Sequence, residues 1–298
     1  MKKIYISLGF ILTLIVSLFA MIPINRNELI NPWMSKLSDD TLITDMSIPG
    51  SHDSGASHSF FDIAGKCQDL SVKKQVNIGV RFFDLRLQMV NDEFKIVHSF
   101  VDQNLKFKSV IKDLYNFISE YNEEFLIISI KKEDDDINSS LDFEDLLKQE
   151  LNPYQDLISF DNSLPNSLRE CRGKIFIMSR YNLSFGIPSY QGWSDDDTFT
   201  LNNMYIQDNY CVNSALEKIE DIKKTIEIKN SFNNQLVLNF TSCYLDNGFP
   251  PTYAGSMAKE INPWLSDYIN NNNNLKLGIT ISDFVNEELV NLIIGSNF

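Results

Sequence analysis

The chain has 298 residues, of which 43% are hydrophobic, so it is long enough to build one large domain or two ordinary ones around a full core. Its formal net charge is −14 at pH 7. This charge argues against nucleic-acid binding, which needs a basic patch, and gives no bulk attraction to anionic membranes, so any contact with a lipid surface must be local.

The N-terminus carries a hydrophobic targeting segment. Lys2 and Lys3 precede an apolar run over residues 4–24. This order is typical of a secretory signal, but the run is also long enough to cross a bilayer. We therefore predict that residues 1–26 form a signal peptide or an uncleaved anchor, and that residues 27–298 form one folded domain. Both alternatives predict a domain outside the cytoplasm, either secreted or tethered to the outer face of the cytoplasmic membrane.

The next distinctive stretch is M-S-I-P-G-S-H-D-S-G-A, residues 46–56. The Pro-Gly pair ends a regular element and lets the backbone turn tightly. His52 then stands beside Asp53 among small residues that leave room for a ligand, which suits a general base. The alternative is an ordinary capped helix start, because several residues of the stretch are good N-cap residues.

A predicted strand follows at G-V-R-F-F-D-L-R-L, residues 79–87, with the dense apolar character of a strand buried on both faces. Asp84 and Arg86 are two positions apart and therefore share one face. Since buried charges must be paired, they form either a structural ion pair or part of a site. The direction of Arg81 stays open. Residues 94–97 predict a further strand, which ends in a second histidine, His98.

The rest of the chain alternates between predicted helices and strands. Helices are expected at residues 31–42, 70–78, 107–121, 141–151, 213–228, 263–269 and 286–294, strands at residues 125–130, 174–179, 205–210, 235–240 and 277–281, and a long loop at residues 182–197. The acidic run at residues 133–136 is expected to begin a solvated helix. This alternation, with no linker dividing it, predicts a single irregular α/β barrel of the TIM (β/α)8 type.

Polar residues cluster at or near the predicted strand ends, the edge where barrel enzymes build their sites. Besides those already named, they are Lys131, Arg180, Asp208, Tyr210 and Asp283. Two histidines can act as general base and general acid, and an arginine can hold a phosphate. This set suits transfer of a phosphodiester to an internal hydroxyl, which yields a cyclic phosphate. The other charged groups and Tyr210 suit a polyhydroxylated ring.

A metal site is the alternative chemistry. His52, Asp53 and Asp84 could begin a cluster of ligands. Arg86 lies on the same face as Asp84, however, and its fixed charge would repel a divalent ion. The four cysteines show no spacing typical of metal ligands, and we expect them to be buried free thiols.

At this point the sequence resembles the bacterial phosphatidylinositol-specific phospholipases C. The residues that carry the resemblance are S-I-P-G-S-H-D-S-G, G-V-R-F-F-D-L-R, I-V-H, S-I-K-K-E, S-R-Y, Q-D-N-Y, N-F-T-S, I-N-P and S-D-F, in this order from about residue 37 to the C-terminus. The resemblance implies an irregular barrel and a two-step reaction without metal or cofactor. The implied products from phosphatidylinositol are diacylglycerol and inositol 1,2-cyclic phosphate.

The resemblance also implies roles for single residues. His52 is the general base, paired with Asp283, and His98 is the general acid, assisted by Asp53. Arg86 contacts the phosphate and Asp84 belongs to the same cluster. The implied inositol-binding residues are Lys131 (favoured over Lys132), Arg180, Asp208 and Tyr210.

The resemblance implies a monomer in transient contact with phosphatidylinositol in membranes, and it leaves open whether glycosyl-phosphatidylinositol anchors are also cleaved. Phe60, Phe61, Phe249 and Tyr253 are our candidates for residues that enter the membrane, with core packing as the alternative. The segment H-S-F, residues 98–100, departs from many members, which have a glycine there.

Two other functions stay open. One is a calcium-dependent or glycerophosphodiester-type phosphodiesterase on the same barrel, against which Arg86 argues. The other is a catalytically inactive lipid- or glycan-binding surface protein, against which the presence of both histidines and the arginine argues.

Overall fold

The structure is a computed structural model that describes residues 30–58, 65–231, 234–246 and 253–298. The predicted N-terminal segment, residues 1–26, therefore lies outside the described residues. In the described ranges the strands are β1 (Ile48–Ser51), β2 (Phe82–Val90), β3 (Glu93–His98), β4 (Val101–Lys106), β5 (Leu126–Lys132), β6 (Ile158–Ser159), β7 (Ile175–Ser179), β8 (Ile187–Pro188), β9 (Thr198–Leu201), β10 (Met204–Gln207), β11 (Cys211–Val212), β12 (Leu236–Phe240), β13 (Tyr244–Leu245) and β14 (Ile279–Ser282).

The α-helices of the same ranges lie mainly between these strands. They are α1 (Val72–Ile78), α2 (Phe107–Glu120), α3 (Phe143–Leu151), α4 (Leu168–Cys171), α5 (Ala215–Ser231), α6 (Ala254–Asn271) and α7 (Glu287–Gly295). Short 3-10 helices occur at Met34–Lys36, Ile43–Asp45 and Asn152–Tyr154. None of the helices in the described part of the chain is long and apolar enough to cross a membrane.

The main sheet is a curled wall of parallel strands. Its strand order is β6-β7-β5-β2-β1-β14-β12-β10, all parallel, and β9 pairs antiparallel with β10 at the edge. The predicted irregular TIM-type barrel is confirmed. Its irregularity lies between β7 and β10, because the segment joining them forms the short strands β8 and β9 in place of a helix, and no ladder of the described residues closes the sheet there. The loop predicted at residues 182–197 falls in this gap.

Strand β2 is longer than its parallel neighbours and continues into a hairpin. It pairs with β1 only at Phe82 and Phe83, and its far end pairs antiparallel with β3, for example Leu87 with Ile96. The strand predicted to end in His98 is confirmed as β3, but it pairs antiparallel with β2 and is not one of the parallel strands of the barrel. Strand β3 runs back toward the sheet, so it returns His98 to the level of Asp84 and Arg86. Strand β4 was missed.

Two helix predictions also need correction. The helix expected at residues 31–42 is only a single 3-10 turn, Met34–Lys36. The helix expected to begin at Pro263 begins at Ala254 and continues through Pro263 to Asn271. Pro263 removes one helical hydrogen bond, which is costly in a helix interior. The buried side chains of Met257, Ile261 and Leu265 on the core side offset this cost.

A buried ion pair settles the direction of Arg81. Its Nε lies 2.8 Å from Glu124 Oε2, both side chains are fully buried, and its other nitrogens donate to the backbone carbonyls of Val76, Val80 and Asn31. Arg81 thus points into the core on the face opposite to Asp84. Its role is structural, since it ties α1 to the base of the sheet.

Candidate active site

A cavity of about 450 Å³ opens at the carboxyl ends of the parallel strands. Eight of the ten predicted site residues line it: His52, Arg86, His98, Lys131, Arg180, Asp208, Tyr210 and Asp283. Asp53 and Asp84 lie behind them, buried against Arg86. The fold thus brings together residues that are separated by more than 200 positions in the sequence.

The pairing of β1 with β14 brings His52 to Asp283. Ser51 and Ser282 are register partners at the ends of these parallel strands, so the next residue of each strand arrives at the same place. His52 Nδ1 lies 2.8 Å from Asp283 Oδ1. A carboxylate only accepts hydrogen bonds, so the Nδ1 proton points to Asp283 and leaves the Nε2 lone pair facing the cavity. Burial lowers the pKa of His52, but Asp283 raises it more, and the result lies above the ordinary value.

A residue that the sequence analysis missed fixes this pair from behind. The buried amide of Gln68 donates through Nε2 to the carbonyls of His52 at 2.7 Å and Ser282 at 2.9 Å, and its Oε1 accepts from Val285 N at 3.1 Å. The Gln68 amide therefore fixes, through hydrogen bonds to the backbone, the two segments that carry His52 and Asp283. No local pattern in the sequence marks Gln68, because its partners lie up to 217 positions away.

Arg86 is at the centre of the site. Its Nη2 lies 2.7 Å from His52 Nε2, its Nε lies 3.2 Å from Asp53 Oδ1 and 3.4 Å from Asp84 Oδ2, and its Nη1 lies 3.0 Å from Glu133 Oε1. Burial lowers the pKa of Arg86, but these three carboxylates hold it well above the usual range. The guanidinium therefore stays charged, in the place where the sequence analysis weighed a divalent ion.

The two carboxylates behind Arg86 have opposite pKa shifts. Burial raises the pKa of Asp84, but the positive charges of Arg86 and Arg180 lower it by more. The pKa therefore lies below its ordinary value, and this carboxyl stays ionised. Burial also raises the pKa of Asp53, and there it prevails over the attraction of Arg86. Asp53 therefore takes up a proton more readily than an ordinary aspartate, whereas Asp84 acts as a permanent counter-charge.

Glu133 corrects the prediction of a solvated helix start at residues 133–136. These residues are not helical, and the Glu133 side chain is only 8% exposed. It contacts Arg86 and also lies 2.9 Å from Lys131 Nζ. Burial raises the pKa of Glu133, but the two cations lower it to about 2. Lys132 points elsewhere and pairs with Asp136 at 2.8 Å, so Lys131 is the lysine that lines the cavity.

His98 lies beside the same aspartate as His52. Its Nε2 is 3.5 Å from Asp53 Oδ2, and His52 Nε2 is 3.7 Å from the same oxygen. The other ring nitrogen of His98 lies 4.0 Å from the thiol of Cys67. Asp53 has a left-handed backbone conformation, with φ 41°, which turns the chain directly after His52. One carboxylate thus lies between two imidazoles.

The far wall of the cavity is built around Arg180. Its Nη2 lies 3.5 Å from Asp208 Oδ2, its Nη1 lies 3.7 Å from Asp84 Oδ1, and its guanidinium stacks 3.8 Å above the ring of Trp193. Trp193 Nε1 also donates to Asp208 Oδ2 at 3.1 Å. Trp193 was not predicted because it lies in the long loop expected at residues 182–197, where no local pattern marks it. Stacking and hydrogen bonding fix a guanidinium and a carboxylate side by side.

Tyr210 forms the rim of the cavity. Its hydroxyl donates to Asp195 Oδ1 at 2.8 Å, and its ring lies 6.1 Å from that of Tyr244. Burial and the hydrogen bond to Asp195 raise the pKa of Tyr210 above its ordinary value. Asp195 and Tyr244 also line the cavity and were not predicted.

The remaining predictions concern the H-S-F segment, the candidate membrane residues and the cysteines. Ser99 lines the cavity and Phe100 is 85% exposed. Phe60, Phe61 and Phe249 lie outside the described residues, and Tyr253 lines the cavity. All four cysteines are free, as expected; Cys67, Cys171 and Cys243 are buried, whereas Cys211 is half-buried.

In chemical terms, the site offers two imidazoles, one permanent guanidinium and a pocket of charged and aromatic side chains. One imidazole is oriented by a carboxylate so that its free nitrogen can accept a proton, and the other is placed to deliver one. The guanidinium beside the first imidazole can stabilise charge on an anionic reacting group.

Comparison with known proteins agrees with a site for an anionic reacting group. Residues 46–181 match the family described as phosphatidylinositol-specific phospholipase C, X domain. The chain is 29% identical over 294 residues to a 1-phosphatidylinositol phosphodiesterase of Staphylococcus aureus (strain Newman), which covers 89% of this chain and 93% of that protein. It is 25% identical over 301 residues to the protein of the same name from Listeria monocytogenes, covering 92% of this chain and 87% of that one.

A solved structure leads to the same family. A mutant of the phosphatidylinositol-specific phospholipase C from Staphylococcus aureus superposes with a TM-score of 0.80 at 27% identity, covering 89% of this chain and 96% of that one. Residues 46–181 therefore match the X domain of the phosphatidylinositol-specific phospholipase C family, and the likeness of the chain to the bacterial enzymes extends over nearly nine-tenths of its length.

Proposed function

We propose that this protein is a phosphatidylinositol-specific phospholipase C that cleaves phosphatidylinositol in membranes into diacylglycerol and inositol 1,2-cyclic phosphate. One observation carries the proposal. The Nε2 atoms of His52 and His98 lie within 3.7 Å of a single Asp53 oxygen, and Arg86 Nη2 lies 2.7 Å from His52 Nε2. A base, an acid and a phosphate-binding cation thus meet at one point of one cavity.

His52 acts as the general base in this proposal. Its Nε2 takes the proton from the inositol 2-hydroxyl, whose oxygen then attacks the phosphorus. Without substrate, Nε2 accepts a hydrogen bond from Arg86. An entering phosphate competes for the guanidinium, which binds phosphate oxygens with two parallel hydrogen bonds. When Arg86 turns to the phosphate, it frees Nε2 for the hydroxyl, so substrate binding itself uncovers the base.

Arg86 and His98 complete the transfer. Charge grows on the non-bridging phosphate oxygens as the new bond forms, and the Arg86 guanidinium, held in the site by three carboxylates and by then turned to the phosphate, stabilises it. His98 donates its proton to the diacylglycerol oxygen as the bond from that oxygen to phosphorus breaks. Asp53 assists, since its carboxylate lies 3.5 Å from His98 Nε2 and stabilises the protonated ring. The cyclic phosphate remains, and water can open it slowly by the reverse proton transfers.

The wall around Arg180 binds the inositol ring in this proposal. Asp208 accepts hydrogen bonds from ring hydroxyls, Arg180 and Lys131 donate to them, and Tyr210 stacks on the C–H face of the ring. All four residues line the cavity.

Three further points are proposals of the same kind. The domain acts outside the cytoplasm, secreted or tethered by residues 1–26, because that segment carries two lysines followed by an apolar run. The protein works as a monomer in transient contact with the bilayer. Anchors of glycosyl-phosphatidylinositol type are a second class of substrate, since they contain the same inositol phosphodiester.

The test is hydrolysis of phosphatidylinositol vesicles with and without EDTA, in which phosphorus NMR follows the water-soluble product. We expect a cyclic inositol phosphate in the presence of EDTA, and its loss in His52→Ala. Activity that needs added calcium would instead support a metal-dependent phosphodiesterase and contradict the role of Arg86. Vesicle binding without turnover would support the non-catalytic alternative.

A further inference from the structure

Cys67 is a buried thiol for which the proposed mechanism has no use. Its side chain is 1% exposed, yet its surface forms part of the cavity wall. Its backbone is held on both sides, because Cys67 N donates to Ala56 O at 2.9 Å and Phe284 N donates to Cys67 O at 2.7 Å. The sulfur therefore has a fixed position, 4.0 Å from His98 Nδ1.

Two groups of possible metal ligands share this sulfur. Within the described residues they are Asp53, Cys67 and His98, and His52, Cys67 and Asp283; in each group one ligand atom per residue lies within 4.8 Å of the others. Both groups combine sulfur, nitrogen and oxygen, the donor types that zinc takes in proteins.

Of the two groups, the one that contains Asp53 has more ligand atoms free to bind a metal ion. Asp53 Oδ2 is buried without a hydrogen-bond partner, although the residue is only 2% exposed. His98 Nε2 lies 3.5 Å from Asp53 Oδ2, longer than an ordinary hydrogen bond between nitrogen and oxygen, and its Nδ1 makes only a long contact of 4.0 Å with the Cys67 sulfur. In the other group, the His52 nitrogens already lie 2.8 Å from Asp283 and 2.7 Å from Arg86, so a metal ion on either nitrogen would have to break a short contact.

We propose that Asp53, Cys67 and His98 form a binding site for a thiophilic divalent cation, represented by Zn²⁺, and that this ion inhibits the enzyme. In tetrahedral zinc sites with bonds of about 2.0–2.3 Å, ligand atoms lie roughly 3.3–3.7 Å apart. The present separations are up to 4.8 Å. Rotation of the half-buried His98 ring brings one of its nitrogens toward both partners, and a shift of the Asp53 carboxylate toward the sulfur completes the set.

The number and type of ligand atoms in this group favour a thiophilic ion. Calcium takes six to eight oxygen ligands and magnesium near-octahedral oxygen ligands, whereas this group offers a single carboxylate that already lies 3.2 Å from Arg86 Nε. When Zn²⁺ binds, the Cys67 thiol releases its proton to solvent and a sulfur–zinc bond forms. The released proton offsets one of the two charges of the ion, so binding adds a single positive charge beside Arg86, which the Asp53 carboxylate then shares with the guanidinium.

Inhibition follows from the role of His98, and this part of the inference rests on the proposed function. A nitrogen that binds the ion cannot carry a proton to the leaving oxygen. The hydrogen bond between His52 and Asp283 is not involved in this group. The ion is thus an inhibitor and not a cofactor.

Binding is tested first, without reference to activity. The full chain is titrated with ZnCl₂ in a calorimeter and with Co²⁺ in an absorption spectrometer, since a thiolate ligand gives Co²⁺ a near-ultraviolet charge-transfer band. We expect one ion per chain, and at least a roughly 100-fold loss of affinity together with loss of the band in Cys67→Ser and Cys67→Ala. Cys243→Ser is the matched control, because Cys243 is a buried thiol of the same cavity outside both groups. It should bind like the wild type.

Activity is tested next, with the same variants on phosphatidylinositol vesicles. Zn²⁺ should inhibit the wild type and Cys243→Ser, and EDTA should restore both. Cys67→Ser should keep its basal activity within about twofold and resist Zn²⁺ at concentrations that saturate the wild type.

The outcomes separate the two proposals. Absence of Zn²⁺ binding, or equal binding in both Cys67 variants, would overturn the metal site even if the enzyme is active. Binding that depends on Cys67, in a protein that never cleaves phosphatidylinositol, would leave the site standing and refute the proposed function. Circular dichroism of each variant shows whether it is folded. If Cys67→Ser does not fold, the binding measured with Cys67→Ala decides whether the metal site exists.

Discussion

Replacement of Asp283 by asparagine tests the central hydrogen bond of the site. The amide keeps the size of the carboxylate and can still accept from His52 Nδ1, but it loses the negative charge that stabilises the imidazolium formed in the reaction. A hydrogen bond to a charged group contributes about 1.5–3 kcal/mol. At about 1.4 kcal/mol per factor of ten, loss of the charge from this contact at 2.8 Å should lower kcat/KM by about 10- to 150-fold.

The same substitution should move the pH profile in a defined direction. Asp283 raises the pKa of His52 above the ordinary 6.5, and a general base works only when neutral, so activity rises with pH through this pKa. Without the carboxylate, the acidic limb of kcat/KM should shift to lower pH. In the wild type, protonation of His52 stabilises the fold below about pH 6.5, and this contribution is lost as pH rises through the raised pKa.

The assay is a series of kcat/KM measurements between about pH 4 and 9, with the histidine ring nitrogens followed by NMR on the same protein. Asp267→Asn, in the exposed part of α6, is the control for loss of one negative charge. An Asp283→Asn enzyme with activity within threefold of the wild type, or with an unmoved acidic limb, would refute the pairing as a source of base strength.

Three further substitutions test other contacts. Glu133→Gln keeps the shape of its contact with Arg86 but removes the charge, and kcat/KM should fall about 10- to 100-fold, while Asp135→Asn, two residues on and exposed, should have no effect. Trp193→Phe keeps a stacking ring but loses the indole donor to Asp208, so KM for phosphatidylinositol should rise about fivefold with kcat nearly unchanged; an equal fall in kcat would contradict a role limited to substrate binding. Glu124→Gln leaves a buried arginine without its counter-charge and should lower the free energy of unfolding in guanidinium by about 3–5 kcal/mol, and a loss below 1 kcal/mol would contradict its structural role.

The strands and most helices of this protein could be predicted from local patterns. The β2 segment has a dense apolar pattern that matches a strand buried on both faces, and α2 has its apolar residues at helical spacing. The helix end at Gly79 was also predictable, since this residue has φ 119° and a side chain there would lie 2.6 Å from Ile294.

The failures occur where contacts between distant segments override local preference. Pro263 predicts a helix start, but buried side chains on both sides of it keep α6 continuous. Glu133 stands first in an acidic run and locally predicts a solvated segment. It is buried because β2 and β5 are neighbours, which brings Arg86 and Lys131 opposite each other as register partners. A single sequence does not display that pairing.

The sequence by itself determined the reacting groups of the site, because His52, His98 and Asp283 each follow or end an apolar segment that must be buried, and Arg86 lies within one. Only the tertiary structure decided how they are arranged. Register between β1 and β14 joins His52 to Asp283, the β2–β3 hairpin returns His98 to Asp53, and the open side of the barrel supplies Trp193. The physical reason is range: apolar periodicity acts over a few residues, whereas pairing of parallel strands is fixed by the packing of the whole sheet.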